Sequence, residues 1–431
     1  MRNGLNIAGV SELVHEVEAS ADEAQYRYAA SAAWRPGRGT TGRSEPALLG
    51  SVKSPRRFTF TIADHPTVDP GAGVADPVRL ALTALGSCAL TTLIAGASAR
   101  GVTFEHLRLH LSAYHRRRWG ARWLSDLTYT IESRAAVNGV DLGEVVEFVV
   151  QQSPNHRTVI DPQALTLSLG GEPETVEGIR IPAAPIAGHT VEQHIEWSYG
   201  VQFRAPIDGT ELRIDQAKQM GGVDWGPNPQ EYMLMALAAC VVQRLAEIVA
   251  EEGLPPLVWQ ARASGRVDVR GLLMTEPGIP PQVQDLHLTV DEPEGAPEDW
   301  RDLVREAVRR SAVAGLLTQP HRIKLNLESE TFDAASESVA PVAAESAEAD
   351  AVPATPETTA EITDPAESVA DQAESGLTEN PDSAGVPEPE IAESAVVAMS
   401  ETTGYGEVSA LDTVEPAESR YAALEAGARH D

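Results

Sequence analysis

One long apolar run occurs twice in this chain, 152 residues apart, and the only two cysteines occupy the same place in both copies. "DPVRLALTALGSCALTTLIAGASARG" (76–101) aligns without a gap on "NPQEYMLMALAACVVQRLAEIVAEEG" (228–253). Asp76 and Pro77 meet Asn228 and Pro229; Leu82, Ala84 and Leu85 meet Leu234, Ala236 and Leu237; Cys88 meets Cys240. Asp or Asn followed by Pro is a helix N-cap with proline at the first helical position. Gly101 and Gly253, each thirteen residues beyond its cysteine, are C-cap signals. The residues between are apolar almost without a break for about five turns, so each helix is expected to be buried over most of its surface.

The flanks repeat as well. Strand-like segments precede each helix ("QYRYAASAAW" and "RRFTFTIAD"; "HTVEQHIEWSYGVQFRAP" and "TELRID") and follow it ("FEHLRLHLSAYH" and "RWLSDLTYTIES"; "LVWQARASGRVDV" and "PQVQDLHLTVDE"). A second helix then ends at Ser153 in one copy and Ser311 in the other, each nine residues before a proline that leads into a closing strand. The expected fold class is α+β. Two tandem units, 21–170 and 189–330, form an intrachain pseudo-dimer with long buried central helices against antiparallel sheets. Residues 1–20 read as an N-terminal helix or arm, and the Pro/Gly-rich stretch 171–188 reads as a linker.

Charge separates the chain's end from the rest. Residues 331–431 hold 23 acidic and 2 basic side chains, against 41 and 31 in residues 1–330. Rich in Ala, Glu, Ser, Pro and Thr, the last hundred residues lack the apolar surface to offset the entropy of ordering, and are expected to be disordered. "AESRYAALEAGARHD" is a candidate terminal helix and docking peptide for a protein partner, with a fraying tail the favoured reading. Net negative charge argues against nucleic acid and anionic membranes as partners. The basic run Tyr114–Arg122 is expected to be a solvated strand end. Without a secretory signal or a membrane-spanning run, and with two cysteines, the expectation is a cytoplasmic protein with reduced thiols.

"GPNPQEYMLMALAAC" resembles the central-helix motif of the OsmC/Ohr family of osmotically inducible and organic-hydroperoxide-resistance proteins. "DPVRLALTALGSC" is a weaker version, and "SPNHRTVIDP" resembles the family's second motif with serine in place of cysteine. The likeness covers about 300 residues as two copies. It implies an intertwined α+β dimer, a peroxidatic cysteine on the central helix, a second cysteine that resolves the sulfenic acid, and an arginine and a glutamate that hold the thiolate. Cys88 and Cys240 match the peroxidatic position. Ser153 and Ser311 occupy the resolving position and form no disulfide. The glutamate position holds Gln230 in the second copy and Val78 in the first; Glu231 is the neighbouring substitute, about 100° further round the helix. Arg204 is the candidate arginine, with Arg57 and Arg43 looser ones.

A thiolate attacks a peroxide O–O bond, so the chemistry needs a cation near the sulfur and access to it. With serine at both resolving positions, an external thiol reductant completes the cycle, or Cys88 and Cys240 pair; their mid-helix positions disfavour pairing. The expected function is a thiol-dependent peroxidase acting on organic hydroperoxides, with Cys240 the better nucleophile. The alternative is a non-catalytic protein that binds a small or lipid-like ligand and uses its tail to recruit a partner. His156 and His321 read as loop or surface residues, and Trp225 as either pocket mouth or packing. His106, His110 and His115 lie in strand spacing without a cysteine or carboxylate pattern, so no metal is expected; neither is a cofactor.

Overall fold

The computed structural model describes residues 1–63, 75–118, 120–176, 187–276 and 278–333. The chain divides into Met1–Glu345 and Ser346–Asp431, and all described residues lie in the first unit. The acidic segment expected to be disordered lies, from residue 334 on, outside the described residues, as does its terminal helix.

The first half opens with α1 (Ile7–Ala19), then β1 (Gln25–Arg35), β2 (Gly39–Ser44), β3 (Ala47–Leu49), β4 (Val52–Ser54) and β5 (Thr59–Ile62). The long helix α2 (Pro77–Ala99) follows, then the hairpin β6 (Thr103–Arg118) and β7 (Ala121–Ala136), α3 (Leu142–Val150), α4 (Pro154–Ile160), β8 (Leu165–Leu169) and β9 (Glu172–Val176). The second half runs β10 (Ala187–Tyr199), β11 (Gln202–Ile207), β12 (Thr210–Ile214), the long helix α5 (Pro229–Glu251), β13 (Trp259–Asp268) and α6 (Val269–Leu273). It ends with β14 (Gln284–Val290), α7 (Trp300–Arg310), α8 (Ala312–Thr318) and β15 (Ile323–Phe332).

The two long helices start where the sequence places them. The Asp76 carboxylate accepts the Val78 and Arg79 N–H groups at 2.9 and 3.1 Å. Asn228 accepts the Glu231 N–H at 2.8 Å while the Glu231 carboxylate accepts the Asn228 N–H at 2.7 Å, a reciprocal capping box. By length and composition either helix could cross a bilayer, contrary to the sequence expectation; each is buried by the protein over 83% of the qualifying stretch. They are core helices: the strands on either side cover the apolar surface a membrane would otherwise cover.

Each half supplies strands to both sheets. In one sheet β1 pairs antiparallel with β13, from Gln25↔Asp268 to Trp34↔Trp259, and the order continues through β14 to β8 and β9. In the other, β10 pairs antiparallel with β6, from Ala187↔Arg117 to Glu196↔Arg108, and the order continues through β7 to β15. The orders β1–β13–β14–β8 and β10–β6–β7–β15 match strand for strand and direction for direction, with the halves exchanged. The α+β class holds. The sheets are mixed instead of antiparallel, because the closing strands β8 and β15 each lie parallel to a strand of the other half. α2 and α5 pack on each other between the sheets, α5 over β1 and β13, α2 over β10 and β6.

Two local features differ from expectation. The stretch read as a linker begins as strand β9, paired with β8; residues 177–186 lie outside the described residues. The segments read as loops after Ser153 and Ser311 are short helices, α4 and α8. Pro154 pre-sets the first turn of α4, and the Ser311 hydroxyl accepts the Ala314 N–H at 3.1 Å to cap α8.

Candidate active site

Cys88 sits in the middle of α2 with 2% of its surface exposed. Its Sγ accepts hydrogen bonds from the Gln230 side-chain amide at 3.2 Å and from the Asn155 backbone N–H at 3.5 Å. Gln230 belongs to the first turn of α5, so the other half's long helix closes over this thiol. Asn155 locks that contact: its amide donates to the carbonyls of Ala84 on α2 (3.0 Å) and Pro229 on α5 (3.1 Å). Burial pushes the Cys88 thiol pKa up, against the opposing pull of the Ser153 hydroxyl, the Asn155 N–H and the Gln230 amide. Ser153, at the expected resolving position, is thus a neighbour of Cys88.

Beside this thiol lies an ion pair that the sequence reading did not foresee. Arg56, in the loop before β5, donates to the Glu231 carboxylate at 2.9 Å, and both side chains are buried, at 6% and 0% exposed. Tyr28 on β1 is within electrostatic reach of Glu231, Arg56 and Cys88 together, and burial pushes its phenol pKa up. Burial also pushes the Glu231 carboxyl up to about 7, against the pull of the Arg56 guanidinium and the Asn228 N–H. Glu231 therefore stands on the helix of Cys240 but belongs to the surroundings of Cys88. The reason is direction along the helix: the first turn of α5 lies against the middle of α2, some two and a half turns from its own cysteine.

Cys240 is also buried, at 6% exposed, but has different surroundings. It lines a cleft of about 610 Å³ together with the first turn of α2 (Asp76–Arg79), the start of β10 and the end of β11. Arg117 and Arg122 of the β6–β7 hairpin, and Gln243 and Arg244 on the turn after Cys240, complete the wall. The basic run read as a solvated strand end therefore supplies two cations to the cleft. Arg244 is buried and pairs with Glu247, which also accepts from Arg122 at 3.1 Å. Burial first, then Arg244, pull the Arg122 guanidinium pKa down, while Glu247 and the Cys240 sulfur oppose them. Cys240 and Arg122 thus line the same cleft.

The other sequence candidates fall elsewhere. Arg204 points outward from β11, half-exposed, 3.6 Å from Glu211 and stacked over Trp225 at 5.3 Å. The inward positions on that strand belong to its neighbours Phe203 and Ala205. Arg43 and Arg57 are exposed. Trp225, partly buried, packs against Arg204 and Arg213 and is not among the cleft residues. Ser311 is fully buried as the α8 cap, next to cleft residue Ala312. His156 is buried in α4 instead of lying in a surface loop, because its helix turns it toward Tyr129, 5.7 Å away. Burial, aided by Arg157, pulls its pKa down to about 4. His321 is partly buried, and burial lowers its pKa too. Sequence reasoning missed Arg56, Arg122 and Arg244. Arg244 carried a signal, four residues after Cys240 and so on the same helix face, and Arg122 closed the basic run that was read as solvated.

A family model described as OsmC-like protein matches residues 221–326, the stretch that holds α5, Cys240 and Ser311. The first half lies outside that match. The chain has no match among curated proteins.

Proposed function

We propose that the two halves are fused OsmC-like units acting as an intrachain pseudo-dimer, and that the chain is a thiol-dependent peroxidase with Cys240 as the attacking thiol. The exchanged strand orders of the two sheets support the first part. The observation that carries the second is that Cys240 opens on a cleft with Arg122 and Arg244 beside it, as attack on a peroxide requires. The Cys240 thiolate attacks one oxygen of an organic hydroperoxide, and the O–O bond breaks. The alcohol leaves after taking up a proton, and the sulfur becomes a sulfenic acid. With Ser311 in the second position, an external thiol displaces water from the sulfenate, and a second equivalent releases the reduced enzyme and a disulfide.

Reaction of the reduced protein with cumene hydroperoxide, followed by stopped flow, tests this. Wild type and Cys88→Ser react at least about 100-fold faster than free cysteine, and Cys240→Ser does not. A wild-type rate no faster than free cysteine sinks the enzymatic reading. It would favour the second reading, a non-catalytic binder of a small or lipid-like ligand, which the apolar wall of the cleft (Val78, Val191, Pro206 and Ile207) supports. Either activity fits a cytoplasm with reduced thiols, and the acidic segment beyond residue 331 would recruit a protein partner.

A further inference from the structure

A second constellation lies on the seam between the halves, where β6 pairs with β10. His110 and His194 stand directly opposite one another in antiparallel register. Glu192, two residues before His194 on the same strand, projects from the same face. The imidazole rings stack with centroids 4.3 Å apart and planes within 6° of parallel. The Glu192 carboxylate lies 3.9 Å from His110 Nε2. One ligand atom from each of the three residues lies within 4.8 Å of the other two. His110 Nε2 is shielded from solvent and has no hydrogen-bond partner. Arg108, two residues from His110, is engaged by Glu132 at 3.6 Å and Glu196 at 3.5 Å, which offsets its charge near the cluster.

We propose that His110, Glu192 and His194 form a divalent-metal site of the zinc class that clips the first half to the second across the β6–β10 seam. Two imidazoles and one carboxylate suit zinc and its first-row neighbours and are a poor set for magnesium or calcium, which take oxygen ligands. Metal–ligand bonds of about 2.0–2.1 Å in a tetrahedron put ligand atoms roughly 3.4 Å apart, so the side chains close by about 1 Å on binding and the exposed His194 ring turns out of the parallel stack to aim its nitrogen at the ion. Glu192 and His194 are exposed and free to make that adjustment, and the strands holding them pair in unbroken register from Ala187↔Arg117 to Glu196↔Arg108. The fourth position stays open, and Glu192 and His194 also border the Cys240 cleft.

Sequence alone does not present this site, because His110 is 82 residues from Glu192 and the exchanged strand order brings them together. The test uses the full-length reduced protein, freed of metal by chelation and titrated with zinc chloride by calorimetry. One zinc ion binds per chain with a dissociation constant of about 10 µM or tighter. His110→Ala and His194→Ala each weaken it at least about 10-fold, as loss of one of three ligands demands. Cys240→Ser leaves it intact, which separates this site from the thiol. Zinc also raises the thermal midpoint of wild type by roughly 5 °C, and of neither histidine variant. Variant midpoints in chelator match wild type, so lost binding is not lost folding. Absence of saturable binding below about 100 µM, or binding that both histidine variants retain, overturns the proposal; so does binding that disappears with Cys240→Ser.

Discussion

The two cysteines occupy matched positions in matched helices, yet one site is closed and the other open. Each thiol faces the first turn of the opposite long helix. At Cys88 that turn offers Gln230, whose amide reaches the sulfur; at Cys240 the matching residue is Val78, which has no side-chain donor, and a cleft takes its place. The ion pairs beside them match as well, with the charges reversed. Arg56 pairs with Glu231 near Cys88, and Asp208 pairs with Arg79 at the Cys240 cleft. Asp208 lies 152 residues after Arg56, and Glu231 lies 152 after Arg79, the same offset that superposes the cysteines. The first pair is buried; in the second, Asp208 is 63% exposed. One scaffold thus holds two buried thiols, one capped by Gln230 beside a buried ion pair, and one, 6% exposed, lining a cleft beside a partly solvated pair.

Breaking the buried pair is expected to have the largest effect. Arg56→Ala leaves the Glu231 carboxylate without its cation in a desolvated position, which costs about 3–5 kcal/mol in unfolding free energy at pH 8. Urea denaturation measures it. A loss under about 1 kcal/mol would show that the pair is solvated and the contrast between the sites unreal.

Next is a pH dependence at the closed site. The Glu231 carboxyl is raised in the folded protein to about 7 from an ordinary value of 4.5. Between those values the folded state holds a proton that the unfolded chain has released, so this group's contribution is fully present below about pH 4.5 and is lost as pH rises to 7. Glu231→Gln should therefore flatten the fall in stability over that window. Parallel profiles of melting midpoint against pH for wild type and variant would instead mean that Arg56 holds the carboxyl ionised throughout.

The smallest effect belongs to the open site. Asp208→Asn should change stability by less than about 0.5 kcal/mol, since an exposed pair gains little over water. A cost above about 2 kcal/mol would make the two pairs energetically alike and erase the comparison.

What could be read from the sequence was whatever local chemistry decides. The Asp76 and Asn228 caps, Pro77 and Pro229 at the helix starts, and the unbroken apolar runs specify two core helices by short-range rules. The matched settings of Cys88 and Cys240, 152 residues apart, were legible as a sequence pattern. What could not be read depends on which half pairs with which. β1 finds its partner in β13, more than 220 residues away, and nothing in either strand's alternation names the other. For the same reason Arg56 escaped notice, since its acid comes from another element of the other half, whereas Arg204, closer to the motif in sequence, faces solvent. The short helices α4 and α8 were hidden by length, because seven residues show too little periodicity to mark a helix. The cleft at Cys240 is assembled from seven elements of both halves, and no single stretch encodes it.

Sulfenate trapping puts the difference between the thiols to direct test. The reduced wild-type protein is treated with one equivalent of cumene hydroperoxide in the presence of dimedone, and the adduct is mapped by peptide mass spectrometry. The adduct should fall on Cys240, with Cys88 unmodified. An adduct mainly on Cys88 would mean that the sealed thiol, with its Arg56–Glu231 pair, is the reactive one.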